Sequence, residues 1–270
     1  MPIEGSSLVP AEEAWIAQYV KTCRTLGFRV NPGTVDDYVA LVAASIRDRV
    51  RCTVFSHNLH SLHEYFRSPA LRECFRQPLA LVDGMPIIWL LQLAGHDVDR
   101  SHRLTYVDFI WPLLTRARDA GWRVFVIGQP QETLDAALDV IRGRCPGIQI
   151  HGRDGFFDKT AGGEESLAVV DEINRHGTDL LLVGMGTPIQ EQWVHAHAEL
   201  IEAPVILTPG ACMEYVAGAV KTPPRWMGRC GLEWSYRLLE NPRRFAYRYL
   251  VEPWVLALFL MRNLLAGSRP

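Results

Sequence analysis

The sequence predicts an α/β protein: a Rossmann-like, mostly parallel sheet with helices on both faces, followed by a helical C-terminal appendage. Three observations carry this prediction. Short apolar runs recur between longer helix-like stretches, the pattern of strands buried on both faces. The residues that close those runs are polar, Gly or Pro, as expected where strand ends meet a ligand crevice. After residue 220 the strand pattern stops, and Arg, Trp, Tyr and Leu interleave.

Residues 1–50 read as a helical, peripheral region broken at Asn31-Pro32-Gly33. Residues 51–220 form the α/β core. Its expected strands are Thr53–Ser56, Leu79–Val82, Val124–Ile127, Ile148–Ile150, Leu180–Val183 and Val205–Leu207. Helices are expected over 106–120, 131–144, 164–176 and 189–200. Residues 221–270 form the appendage. There Arg237, Arg244 and Arg248 have helix-like spacing, although Pro242 interrupts the run. An Arg-, Trp- and Tyr-rich amphipathic segment suits a membrane interface. It suits equally a helix packed on the core with a solvated basic face.

Composition narrows the class. The chain has 270 residues, 48% hydrophobic and 21% charged, enough for a sizeable core without staples. Disorder, collagen and simple coiled coil are excluded. Six cysteines are scattered without a C-x-x-C, which argues for reduced thiols in a cytosol. The net charge of −2 gives no reason to expect a nucleic-acid partner. Its distribution is uneven: residues 221–270 hold nine Lys/Arg against three Glu, and the first 220 hold 19 basic and 27 acidic residues. Such a basic tail is expected to meet an anion. The opening MPIEGSSLVPAEEAW lacks a basic, apolar leader pattern, and no apolar run approaches the ~20 residues of a membrane span.

The strand-end residues are the candidates for chemistry. Ser56-His57-Asn58 ends the first core strand. Ser56 and Asn58 can hydrogen-bond a hydroxyl or a diphosphate, or simply cap a turn. Asp83 ends the next strand, followed by Gly84 and Pro86. Its carboxylate is either a base at the crevice or a helix cap. Gly128 and Gly184-Met185-Gly186-Thr187-Pro188 let backbone approach a ligand, and the second stretch can turn N–H groups onto an anion before its helix. Neither completes the G-x-G-x-x-G of a dehydrogenase. Two metal patterns compete. Asp97-Val98-Asp99 lies in the polar stretch GHDVDRSH, away from a clear strand end. His57, His60 and His63 recur every three residues among Leu and Tyr, with no carboxylate evident at ligand spacing. Neither is read as a metal site.

The stretches VFSHNLHSL (54–62), LALVDGMPIIW (79–89), HRLTYVDF (102–109), RVFVIGQP (123–130), DLLLVGMGTPIQEQW (179–193) and AGAVKTPPRWMGRCGLEWSYRLLENPRRFAYRY (217–249) together resemble the WecG/TagA/CpsF family, glycosyltransferase family 26. The resemblance implies an inverting transferase. It would move a hexosyl residue (glucose, N-acetylmannosamine or its uronic acid) from a UDP-sugar to a polyprenyl-diphosphate-linked sugar, in cell-wall or exopolysaccharide assembly. It implies a cytoplasmic chain held peripherally on the inner face of the cell membrane. It implies no cofactor and no metal, with arginines replacing the ion; homo-oligomerisation stays open. Asp83 matches the catalytic base, and Arg103 matches an Arg that orients that base or holds diphosphate. Gln190, in the matching G-T-P-x-Q-E, is expected at the donor or acceptor, with Glu191 beside it. Ser56 stands where the family has Thr, and Tyr106 where it usually has Gly. Arg237, Arg243, Arg244 and Arg248 are expected to close over the site and neutralise diphosphate. The competing reading is a non-catalytic, membrane-associated nucleotide-binding protein.

Overall fold

A computed structural model describes residues 10–223, 227 and 231–265. The strands are β1 (Cys23–Thr25), β2 (Phe28–Val30), β3 (Cys52–His57), β4 (Leu79–Val82), β5 (Arg123–Gly128), β6 (Gln149–Arg153), β7 (Leu180–Gly184) and β8 (Val205–Leu207). The helices are α1 (Pro10–Ile16), α2 (Val35–Asp48), α3 (Leu59–Arg67), α4 (Pro69–Cys74), α5 (Met85–Leu93), α6 (Tyr106–Asp119), α7 (Gln131–Arg144), α8 (Glu164–His176), α9 (Ile189–His197), α10 (Cys212–Val216), α11 (Glu233–Glu240), α12 (Pro242–Leu250) and α13 (Glu252–Leu265). All six expected core strands are present, in a sheet of order β4-β3-β8-β7-β5-β6. The pairs β3–β8, β8–β7, β7–β5 and β5–β6 are parallel. The α/β expectation holds.

The chain forms two compact units that interleave in sequence. The first comprises Tyr38–Phe55 and Tyr106–Lys221. Its core is the apolar sheet: Val124–Ile127, Leu180–Val183 and Val205–Leu207 are fully buried. Each such side chain contributes about 2 kcal/mol by leaving water. The helices bury one face each. On α7 that face is Leu134, Ala137, Leu138 and Ile141, the i, i+3, i+4, i+7 spacing of an amphipathic helix.

The second unit comprises Met1–Asp37, Ser56–Thr105 and Thr222–Pro270. Here the helical expectation for residues 1–50 is corrected. Cys23–Val30 is an antiparallel hairpin with Leu26 (φ 52°) and Gly27 (φ 85°) at its turn, the two positive φ values that match a two-residue loop to strand twist. Asn31 lays it against β4: its N–H donates to the Ala80 carbonyl at 2.7 Å, and its Oδ1 accepts from the Ala80 N–H at 3.1 Å. A sheet edge is thereby covered. The break at Asn31-Pro32-Gly33 is real, and Thr34 and Asp37 cap the helix after it. At the other end α13 packs on α3. Phe259 stacks on Phe66 at 6.0 Å, and Leu256 and Leu260 are buried.

Candidate active site

The second unit contains a cavity of about 390 Å³ at the C-terminal ends of β3 and β4. The strand geometry explains its location. The Asp83 N–H donates to the His57 carbonyl at 2.9 Å, which sets the first residue after β4 beside the last of β3. Asn58, next in the chain, caps α3: its Oδ1 accepts from the Ser61 N–H at 3.0 Å. Its Nδ2 donates to Asp83 Oδ2 at 3.2 Å. One side chain thus starts a helix and aims a carboxylate. Asp83 does not cap α5; Gly84 holds that position with no side-chain cap bond. Gly84 has φ 108°, a conformation that any side chain would strain. It reverses the chain sharply after Asp83 and leaves the carboxylate facing the cavity.

Three guanidinium groups share the lining with Asp83: Arg103, Arg237 and Arg248. Arg103 is nearly buried, and its Nη1 lies 3.4 Å from both oxygens of Glu233. Burial pushes Arg248 down from its ordinary pKa and Arg237 adds to that, while Tyr249, Glu252 and Asp83 pull the other way. Its charge therefore lies among carboxylates, in a setting drier than water. The remaining walls are apolar and aromatic, with Met85, Pro86 and Trp89 from α5, Trp234 from α11 and Tyr249 from α12. A half-buried carboxylate fixed by an amide donor suits proton abstraction. Three guanidinium groups against Asp83 and Glu233 suit a polyanionic group.

Other expected residues lie elsewhere. Ser56 is buried within β3 and does not line the cavity. His57 is fully buried: its ring stacks on Phe75 at 4.3 Å, and burial pushes its pKa down to about 3. It is a neutral core histidine and not a base. Arg243 is exposed on α12, and the Arg244 side chain is outside the described residues. Asp97 and Asp99 are exposed. Asp99 caps a 3-10 turn, and the Ser101 hydroxyl on it holds its carboxyl below the usual range.

The remaining candidates belong to the first unit. Gly128 and Gly184 end neighbouring strands, β5 and β7. A Cβ on Gly128 would meet the Gly184 carbonyl carbon at 2.7 Å, and one on Gly184 the Gly210 oxygen at 2.6 Å. These glycines are explained by backbone packing on backbone, where the sequence suggested close approach to a ligand. Gln190 is buried and committed: its Oε1 accepts from the Gly186 N–H at 3.1 Å, and its Nε2 donates to Glu191 Oε1 at 2.8 Å. The Thr187 hydroxyl donates to the same Glu191 oxygen at 3.0 Å. Gln190 and Glu191 therefore brace the turn over Gly186 and Thr187, a positioning place where substrate contact was expected. Trp89, Glu233, Trp234 and Tyr249 are lining residues that sequence reasoning had not singled out. Their only signal was membership of the quoted stretches at 79–89 and 217–249.

A carboxylate aimed into an arginine-bearing, aromatic-walled cavity at the strand ends of an α/β sheet has the parts that group transfer involving an anionic compound calls for. The family model for the glycosyl transferase WecG/TagA/CpsF family matches residues 23–270, and the chain belongs to that family. It is a glycosyltransferase. The chain is similar to proteins named N-acetylglucosaminyldiphosphoundecaprenol N-acetyl-beta-D-mannosaminyltransferase. That of Bacillus spizizenii is 28% identical over 191 residues, 70% of each chain. That of Bacillus subtilis is 29% identical over 166 residues, 61% of this chain and 62% of the relative. A Staphylococcus aureus relative is 31% identical over 144 residues, 53% and 55%.

Proposed function

We propose that the chain transfers a hexosyl residue, with inversion, from a UDP-sugar to a polyprenyl-diphosphate-linked sugar in cell-wall or exopolysaccharide assembly. Among glucose, N-acetylmannosamine and its uronic acid, the relatives' names favour N-acetylmannosamine, with an N-acetylglucosamine-bearing acceptor. Asp83 takes the proton of the acceptor hydroxyl as its oxygen attacks the anomeric carbon. The bond from that carbon to the UDP oxygen breaks, and Arg103, Arg237 and Arg248 stabilise the diphosphate charge as it develops. Asn58 holds Asp83 in line. Gly84, Trp89, Trp234 and Tyr249 shape the walls against which a sugar ring can stack.

The observation that carries this reading is the Asn58–Asp83 pair facing three guanidinium groups in one cavity. The enzyme is proposed to work at the inner membrane face. Among the described residues no helix is long and apolar enough to cross a membrane. On α13, Trp254, Leu258, Met261 and Leu265 are exposed along one face, as in a helix lying in an interface. The test presents the purified chain with a panel of UDP-sugars and a polyprenyl-diphosphate–N-acetylglucosamine acceptor. Sugar transfer from UDP-N-acetylmannosamine is expected. Absence of transfer from every donor in the panel would overturn the proposal.

A further inference from the structure

Next to the cavity, α3 and α13 bring together four side chains whose chemistry the transfer reaction does not use. His60, His63 and Glu64 are three and four residues apart on α3, so they share one helix face. Glu252, the first residue of α13, comes from 192 positions beyond His60 and faces them. One potential ligand atom from each lies within 4.8 Å of the others. His60 Nδ1 is 2.7 Å from Glu252 Oε2, His63 Nδ1 is 3.0 Å from Glu64 Oε1, and His63 Nδ1 is 4.0 Å from Glu252 Oε1. Ligands about 2.0–2.2 Å from a tetrahedral ion lie roughly 3.3 Å from one another. These three separations bracket that spacing, and the other ligand atoms lie within 4.8 Å of one another, so side-chain shifts within the cluster would close the shell.

Burial gives the second argument. The Glu252 side chain is 5% exposed and that of His63 1%. A carboxylate withdrawn from water this far needs compensating charge. Arg67, with its Nη1 3.3 Å from Glu64 Oε1, meets part of that need from the exposed side; a cation among the four side chains would meet the rest at Glu252. Two nitrogen donors select against magnesium and calcium and favour a zinc-like transition metal. His57, the first histidine of the three-residue repeat, stacks on Phe75 and takes no part.

We infer that His60, His63, Glu64 and Glu252 form a zinc-class metal site clasping α13 to α3. Its ligands belong to positioning machinery. Arg248 and Tyr249 just before Glu252, and Pro253 just after it, line the cavity, as does His60. The ion fixes where that wall stands and does not touch the reacting atoms. This inference stands apart from the identity of the donor sugar.

The test is Co²⁺ titration of the tag-free full chain after chelator treatment. One equivalent is expected to bind, with the visible bands of tetrahedral Co²⁺, and Zn²⁺ is expected to displace it. His60→Ala and Glu252→Gln should each weaken Co²⁺ binding at least about tenfold. Zn²⁺ should raise the melting temperature of the wild type and leave that of the variants unmoved. His60 is the most exposed member whose loss removes a ligand from the shell, so His60→Ala keeps the test open if Glu252→Gln fails to fold. Folded wild-type protein without tetrahedral Co²⁺ bands would overturn the site, and so would full-strength binding by a folded His60→Ala variant.

Discussion

His57 stands one residue from Asn58, which orients the candidate base, yet it belongs to the core. Its pKa falls to about 3 from 6.5, first through burial and then through Arg29. Between those values the unfolded chain binds the proton and the folded chain does not, so stability rises with pH across this window and is lost as pH falls through it. The slope is at most about 1.4 kcal/mol per pH unit. Urea-unfolding midpoints of wild type and His57→Phe, measured between about pH 4 and 7, should converge toward acid because the variant lacks this loss. Parallel curves would show that His57 titrates freely. Residues at this scale were half legible. Asn58 reads as a cap from its place before a helix, but its bond to Asp83 spans 25 positions, and no local pattern reports such a pairing. Gln190 is expected at the substrate because it stands in the matching G-T-P-x-Q-E. Its use as a brace depends on Glu191 and Gly186 converging on its amide.

Elements with strong periodicity were predicted well. Helices α7 and α8 fall on the expected 131–144 and 164–176, because an apolar stripe of three or four turns fixes phase and length together. The β1–β2 hairpin escaped because each strand has three residues, too few to show alternation, and Leu26 sits where a turn favours Asn or Gly. The C-terminal segment left two readings open, and α13 shows features of both: Leu256 and Leu260 pack inward while Trp254, Leu258, Met261 and Leu265 face out. If that outer face meets a bilayer, Trp254→Ser with Leu258→Ser should lower binding to anionic vesicles at least about tenfold, since each apolar side chain contributes roughly 1.5–3 kcal/mol when buried. Co-sedimentation measures this, with circular dichroism to confirm the fold. Unchanged sedimentation would assign the face another partner.

At the scale of the whole molecule, the sequence reads as three consecutive stretches, 1–50, 51–220 and 221–270, whereas the compact units interleave. Composition along a chain cannot reveal that residues 56–105 and 222–270 share a unit, because that depends on contacts between distant segments. The consequence is functional: the basic tail supplies Arg237 and Arg248 to the cavity that holds Asp83. The uneven charge noted in the sequence thus contributes cations where a diphosphate is proposed to sit. The most direct test of the account compares wild type and Asp83→Asn in two assays, sugar transfer to the polyprenyl-linked acceptor and equilibrium binding of UDP. Removing a general base is expected to cut kcat/KM by about 10²–10⁴-fold while UDP affinity stays near that of the wild type. Transfer at the wild-type rate by Asp83→Asn would contradict the account.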